Sequence, residues 1–126
     1  FRLAQALEKL EGVSVNYPLL ESSPYHELAE KQLSGKGGAI LTIRTGSKER
    51  AYKLINHLKY VKIATNIGDV RTLVIHPAST IYIHSTPEAM EEAGVYDDTI
   101  RISVGIEDIK DLIQDFTEAV ESLGEE

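Results

Sequence analysis

One arginine in the second half of the chain stands where it could bind a carboxylate. Arg101 lies in a stretch, residues 99–108, in which every second residue is apolar: Ile100, Ile102, Val104 and Ile106. This alternation predicts a β-strand with one apolar face, from which Arg101 projects on the opposite side beside the small residues Ser103 and Gly105. A guanidinium is shaped to bind a carboxylate through two parallel hydrogen bonds. The pattern therefore indicates a carboxylate site, although an arginine on the solvated face of an antiparallel sheet has the same pattern.

The composition narrows the classes of function. The 126 residues are 42% hydrophobic and 26% charged, which is ordinary for a globular domain. A net charge of −7 argues against nucleic acid or an anionic membrane as partner, since both need a basic surface. The lack of cysteine excludes disulfides, zinc–thiolate sites and thiol catalysis. No apolar run approaches the roughly 20 residues that span a bilayer, and no signal peptide is visible, so we expect a cytoplasmic protein.

Other candidate residues carry weaker signals. The four histidines lack the spacing of metal ligands, so no metal site is expected, and they are interpreted as surface histidines or as histidines with satisfied hydrogen bonds. The glycine-rich residues 34–38 precede a predicted strand, whereas a phosphate-binding loop follows one. Asp97 and Asp98 are interpreted as turn residues, and Ser79 lacks the flanking glycines of a hydrolase nucleophile.

Hydrophobic periodicity predicts the elements that must position Arg101. We expect helices over 1–10, 24–33, 48–57, 87–93 and 107–122, and strands over 13–17, 39–44, 61–64, 72–76 and 99–106. Ser23, Ser47 and Thr86 are the predicted N-caps. The expected fold is an α+β two-layer sandwich, a mainly antiparallel sheet of four to five strands with helices on one face. Arg101 would lie on the other face, which is expected to be open in this chain.

Several segments of the chain resemble those of a known protein family, which the periodicity and composition alone do not indicate. They are VNYPL at 15–19, PYHELA at 24–29, GGAIL at 37–41, NIGD at 66–69, HPAST at 76–80 and IRISVGIEDI at 100–109. In this order they resemble the C-terminal domain of the cysteine/methionine-metabolism family of pyridoxal-phosphate enzymes, the transsulfuration enzymes. The segment at 66–69, where lyases of the family carry Ser-Leu-Gly, is most similar to the O-acetylhomoserine sulfhydrylase branch.

The resemblance implies a role for three residues. Arg101 would bind the α-carboxylate of the amino-acid substrate, Asn66 would help to orient that carboxylate, and Thr80 would lie near the site entrance. Residues 81–84 depart from the family's pattern, which leaves them without an implied role.

The resemblance also implies what the whole protein is. Residues 1–126 would form the single small C-terminal domain of a larger homotetrameric transferase of methionine and cysteine biosynthesis. The cofactor pyridoxal phosphate and its Schiff-base lysine would belong to a preceding large domain, since none of the eight lysines lies in the family's motif. This chain alone would then be inactive and would not bind the cofactor tightly.

Two other interpretations of the sequence stay open. The chain could be a stand-alone α+β module that binds an amino acid through Arg101 and regulates a partner. It could also be a structural domain without a site of its own.

Overall fold

The computed structural model describes residues 1–32, 37–59, 61–63 and 71–125. Its helices are α1 (Arg2–Glu8), α2 (His26–Gln32), α3 (Lys48–His57), α4 (Pro87–Glu92) and α5 (Ile109–Glu121). Its strands are β1 (Ser14–Asn16), β2 (Ile40–Arg44), β3 (Lys62–Ile63), β4 (Leu73–Ile75) and β5 (Thr99–Ser103). Short 3₁₀ turns span Pro77–Ser79 and Ser122–Glu125. No helix among the described residues is long and apolar enough to cross a membrane.

The strand that carries Arg101 lies at the centre of a five-stranded sheet. The strand order is β1-β2-β5-β4-β3, with β5 antiparallel to both of its neighbours and β3 parallel to β4. Helices α1, α3 and α5 contribute to one buried cluster with the strands. The predicted α+β sandwich with a mainly antiparallel sheet is confirmed.

The core forms on the face of the sheet that α1, α3 and α5 cover. On β5, Ile100 and Ile102 are fully buried; Ile102 lies opposite Leu41 and Val74 on the neighbouring strands. The helices meet this face with large apolar side chains: Leu3, Leu7, Leu54, Leu112 and Phe116. Because side chains alternate along a strand, the intervening residues of β5 face away from these helices.

The second face of the sheet is not open throughout, so that expectation is wrong for its β4–β5 half. Leu73, Ile75 and Ser103 project on this face and are almost fully buried. The turn that follows β4, Pro77–Ser79, contacts β5 and therefore lies close to this half of the sheet. At the other edge the face is exposed, at Ser14 and Asn16 of β1 and at Arg44 of β2.

The end of β5 also differs from the prediction. The strand stops at Ser103, and Ile106 is 83% exposed instead of joining the core. The Gly105 N–H donates to the Thr72 hydroxyl (2.9 Å), and Glu107 accepts from the backbone N–H and the hydroxyl of Thr72 (both 2.8 Å). These bonds turn the chain away from the strand direction. Helix α5 therefore begins at Ile109, two residues later than predicted, with Asp108 as its N-cap.

The predicted helix starts hold at two of three sites. The Ser47 hydroxyl accepts from the Arg50 N–H (3.2 Å), and the Thr86 hydroxyl accepts from the Ala89 N–H (3.1 Å). Both residues are therefore N-caps, as predicted. Ser23 accepts from the Tyr25 N–H (3.2 Å), but it closes a turn, and α2 begins only at His26.

Candidate carboxylate-binding site

Arg101 lies at the middle of β5, on the face away from α1, α3 and α5. Its neighbours across the sheet are Thr42 on β2 and Ile75 on β4, and Ser103 lies on the same face two residues along the strand. The side chain is half-buried and interacts within the chain, so a ligand would join or replace an existing contact. A guanidinium on a floor of small and β-branched side chains has the chemistry to bind a carboxylate.

Thr80 is exposed at the end of the turn that follows β4, and its hydroxyl donates to the His76 carbonyl (2.8 Å). Since this turn lies against β5, the fold brings the segment of Thr80 to the strand of Arg101. Asn66, the third predicted residue, lies outside the described residues, as does the whole segment 66–69. Among the residues that depart from the family pattern, Ile81 and Ile83 are more than half exposed.

His76 occupies a more specific position than its sequence context indicated. It is 3% exposed, and its Nδ1 lies 2.7 Å from the Ser79 hydroxyl. Its Nε2 is hydrogen-bonded to the Asp97 carbonyl, which can only accept, so Nε2 carries the proton. In the neutral ring Nδ1 then accepts from Ser79. The Tyr52 ring packs at 4.9 Å between centroids. Of the two interpretations of the histidines, surface or satisfied, the second holds for His76, but its long-range partner had no sequence signal.

Asp98, interpreted from the sequence as a turn residue, is a buried acid that joins β2 to β5. Its carboxylate accepts from Arg44 Nε (3.0 Å) and from the Gly46 N–H (2.8 Å), and Arg44 stacks on Tyr96 at 3.9 Å. Burial acts to raise the pKa of Asp98, but the bonds from Gly46 and Arg44 outweigh it and hold the pKa below its usual value. The approach of Gly46 requires its positive φ of 101°, which suits glycine.

We expect Asp98→Asn to destabilise the chain by about 1–3 kcal/mol at pH 7, because two hydrogen-bond donors, Arg44 and Gly46, then lose their charged acceptor. Because the folded pKa is depressed, this stabilisation is fully present above the unfolded pKa of about 3.9 and is lost as the pH falls through the folded pKa. The difference in the free energy of unfolding between wild type and Asp98→Asn, measured by urea unfolding, should therefore shrink as the pH is lowered. Asp97→Asn, at an exposed neighbouring side chain, is the matched control. A gap that stays constant down to the acid transition would contradict the assignment.

A cleft of about 690 Å³ opens beside Arg44, between the start of α3 and α4. Its charged lining residues carry both signs: Arg44, Lys48, Glu49, Glu91, Asp97 and Asp98. Arg101 and Thr80 do not line it, so it is separate from the candidate site. Among the described residues, no group of three or more His, Asp or Glu side chains could hold a metal ion.

The sequence and fold place the chain in a class of pyridoxal-phosphate-dependent enzymes. Residues 1–121 match the model of the Cys/Met metabolism PLP-dependent enzymes, and the chain belongs to that family.

Individual relatives show which members of the family the chain resembles. The chain is 43% identical over 115 residues to O-acetyl-L-homoserine sulfhydrylase 1 of Thermus thermophilus, covering 90% of this chain and 27% of the relative. It is 45% identical over 123 residues to homocysteine synthase of Schizosaccharomyces pombe, covering 96% and 29%. A structure described as an O-acetylhomoserine (thiol)-lyase of Campylobacter jejuni superposes with a TM-score of 0.87 at 34% identity, covering 95% of this chain and 29% of that one. The chain thus spans less than a third of the length of these relatives.

The described strand neighbours of Arg101 bear on how the family's cofactor would be held. The Campylobacter jejuni structure holds pyridoxyl-lysine monophosphate, so the cofactor there is joined to a lysine. On the sheet face of this chain, the described neighbours Thr42, Ile75, Thr99 and Ser103 carry no amine. These residues therefore do not supply such a lysine.

Proposed function

We propose that this chain is the substrate-binding C-terminal domain of a pyridoxal-phosphate enzyme of the O-acetylhomoserine sulfhydrylase type. The whole enzyme would take O-acetylhomoserine and sulfide and release homocysteine and acetate. The names of two relatives and of the superposed structure support this branch. The observation that carries the proposal is the place of Arg101, at the centre of the sheet and on the face that α1, α3 and α5 leave uncovered.

Arg101 would bind the substrate's α-carboxylate with two N–H groups. Its half-buried position strengthens such a bond, because the local dielectric constant is lower than that of water. A fixed α-carboxylate orients the Cα bonds of the substrate, and pyridoxal phosphate supplies the carbanion chemistry when it is bound. Thr80 would lie at the site entrance, and Asn66 would help to orient the carboxylate.

The remaining parts of the site would come from the rest of the enzyme. The Schiff-base lysine and the residues that bind the cofactor would lie in a large domain outside these 126 residues, in a cytoplasmic homotetramer. This chain alone would neither turn over substrate nor bind the cofactor tightly.

The test compares the full-length enzyme with the isolated chain. We expect the full-length enzyme to form homocysteine from O-acetylhomoserine and sulfide, and the isolated chain to form none. Titration calorimetry of the isolated chain with O-acetylhomoserine and with pyridoxal phosphate should show no tight binding. Tight binding of either molecule would instead support a stand-alone amino-acid-binding or regulatory module.

A further inference from the structure

His76 is the best-placed buried polar side chain that the proposed function leaves unused. It follows β4 directly, beside Ile75, the neighbour of Arg101 across the sheet. Its imidazole donates to the Asp97 carbonyl and accepts from the Ser79 hydroxyl. The ring therefore connects the turn after β4 to the segment that leads into β5.

The backbone of His76 completes this connection. Its carbonyl accepts from the Thr80 hydroxyl (2.8 Å) and from the Ser79 N–H (3.3 Å). The position of Thr80 is thus set by the same residue whose ring is anchored to Asp97. One residue after Asp97, Asp98 accepts a hydrogen bond from Arg44 of β2, so the His76–Asp97 contact adjoins the contacts that join β2 to β5.

We propose that His76 is a positioning residue for the substrate site. Through the Asp97 carbonyl, it holds the turn of Thr80 in a fixed place relative to the strand of Arg101. The ring itself touches no substrate in this scheme, because it lies against Tyr52 of α3, on the core side of the sheet. The inference rests on the proposed function, since it assumes that Arg101 and Thr80 face one substrate.

Three substitutions in the full-length enzyme separate the two ring contacts. The amide nitrogen of His76→Gln can reach the place of Nε2 and donate to Asp97. The shorter side chain of His76→Asn can reach the place of Nδ1 and bond Ser79 but not Asp97, and His76→Ala makes neither bond. We expect about a 10-fold rise in the KM for O-acetylhomoserine in the Ala and Asn variants, because displacement of the Thr80 turn should weaken the substrate's contacts by about the worth of one hydrogen bond. We expect kcat to change less than about 3-fold, and His76→Gln to stay near wild type.

Val120→Ala is the control for simple destabilisation. Val120 is buried in the core on α5, away from the turn of Thr80, so this variant should lower the melting temperature without changing the KM. Amide hydrogen exchange of residues 78–85, measured on the same variants, should accelerate in the Ala and Asn variants alone. An unchanged KM in both of those variants, or an equal rise in Val120→Ala, would overturn the proposal.

The exchange measurement also distinguishes this proposal from the proposed function. If wild type turned over no O-acetylhomoserine, the proposed function would fail and the positioning role with it, whatever the exchange pattern. If wild type were active and exchange rose in His76→Asn without a change in KM, the proposed function would stand. His76 would then serve the fold and not the site.

Discussion

Arg101→Ala in the full-length enzyme is expected to raise the KM for O-acetylhomoserine by about 100-fold or more. A hydrogen bond to a charged group contributes about 1.5–3 kcal/mol, and each 1.4 kcal/mol is a factor of about ten in affinity. Two parallel bonds from one guanidinium would be lost together. The bound cofactor should stay, since the described neighbours of Arg101 offer it no lysine. Steady-state kinetics and the absorbance of the bound cofactor measure the two effects.

Two comparisons make this prediction specific to the carboxylate. Arg44 lies on the same face of the adjacent strand but is paired with Asp98, so Arg44→Ala should leave the KM within a few-fold of wild type. Replacing the substrate's α-carboxylate with a carboxamide should weaken wild type strongly and Arg101→Ala hardly at all. A KM that is unchanged in Arg101→Ala, or an equal loss in Arg44→Ala, would reject the assignment.

Ile102→Ala is expected to destabilise the chain by about 2–5 kcal/mol, because it leaves a cavity in the core. Ile102 is fully buried between Leu41 and Val74, under the helices. Such a loss is a large part of the roughly 5–15 kcal/mol that stabilises a typical domain. Urea or thermal unfolding would measure it, with a fall in Tm of roughly 10 °C.

Ile106→Ala is the matched control, since it makes the same substitution in the same alternating pattern. Ile106 is 83% exposed, so its replacement should change the stability of this chain by less than about 0.5 kcal/mol. Equal losses at the two positions would mean that β5 continues through residue 106, as the sequence pattern predicted.

The contrast between these isoleucines indicates which features the sequence could predict. The core face of β5 and the N-caps Ser47 and Thr86 depend on residues only a few positions apart, and these predictions were correct. The end of β5 depends on bonds between Glu107 and Thr72, which are 35 residues apart. No local pattern reports such a partner, so the alternation was extended too far.

In the candidate site, too, the features set by local sequence could be predicted, and those set by long-range contacts could not. Alternation placed Arg101 on the correct face, but its interpretation as a substrate-binding residue came from the family resemblance. The contacts that fix its surroundings are non-local, because Asp98 meets Arg44 at a separation of 54 residues and His76 meets Asp97 at 21. Asp98 was therefore interpreted only as a turn residue, and His76 only as a surface or satisfied histidine, since their partners become visible only in the folded chain.

The pairing of β2 with β5 has a consequence for biosynthesis. Arg44 at the end of β2 pairs with Thr99 at the start of β5, so the whole segment 45–98 lies between these two neighbouring strands. Closing such a long loop costs conformational entropy before the contacts between the strands can form and offset that cost. Non-local pairing of this kind therefore slows folding. On a ribosome, the sheet cannot be completed until residue 103 has left the exit tunnel. Until then the apolar faces of α1 and α3 cannot be buried against the complete sheet. A nascent chain in that state exposes apolar surface, which is what chaperones bind.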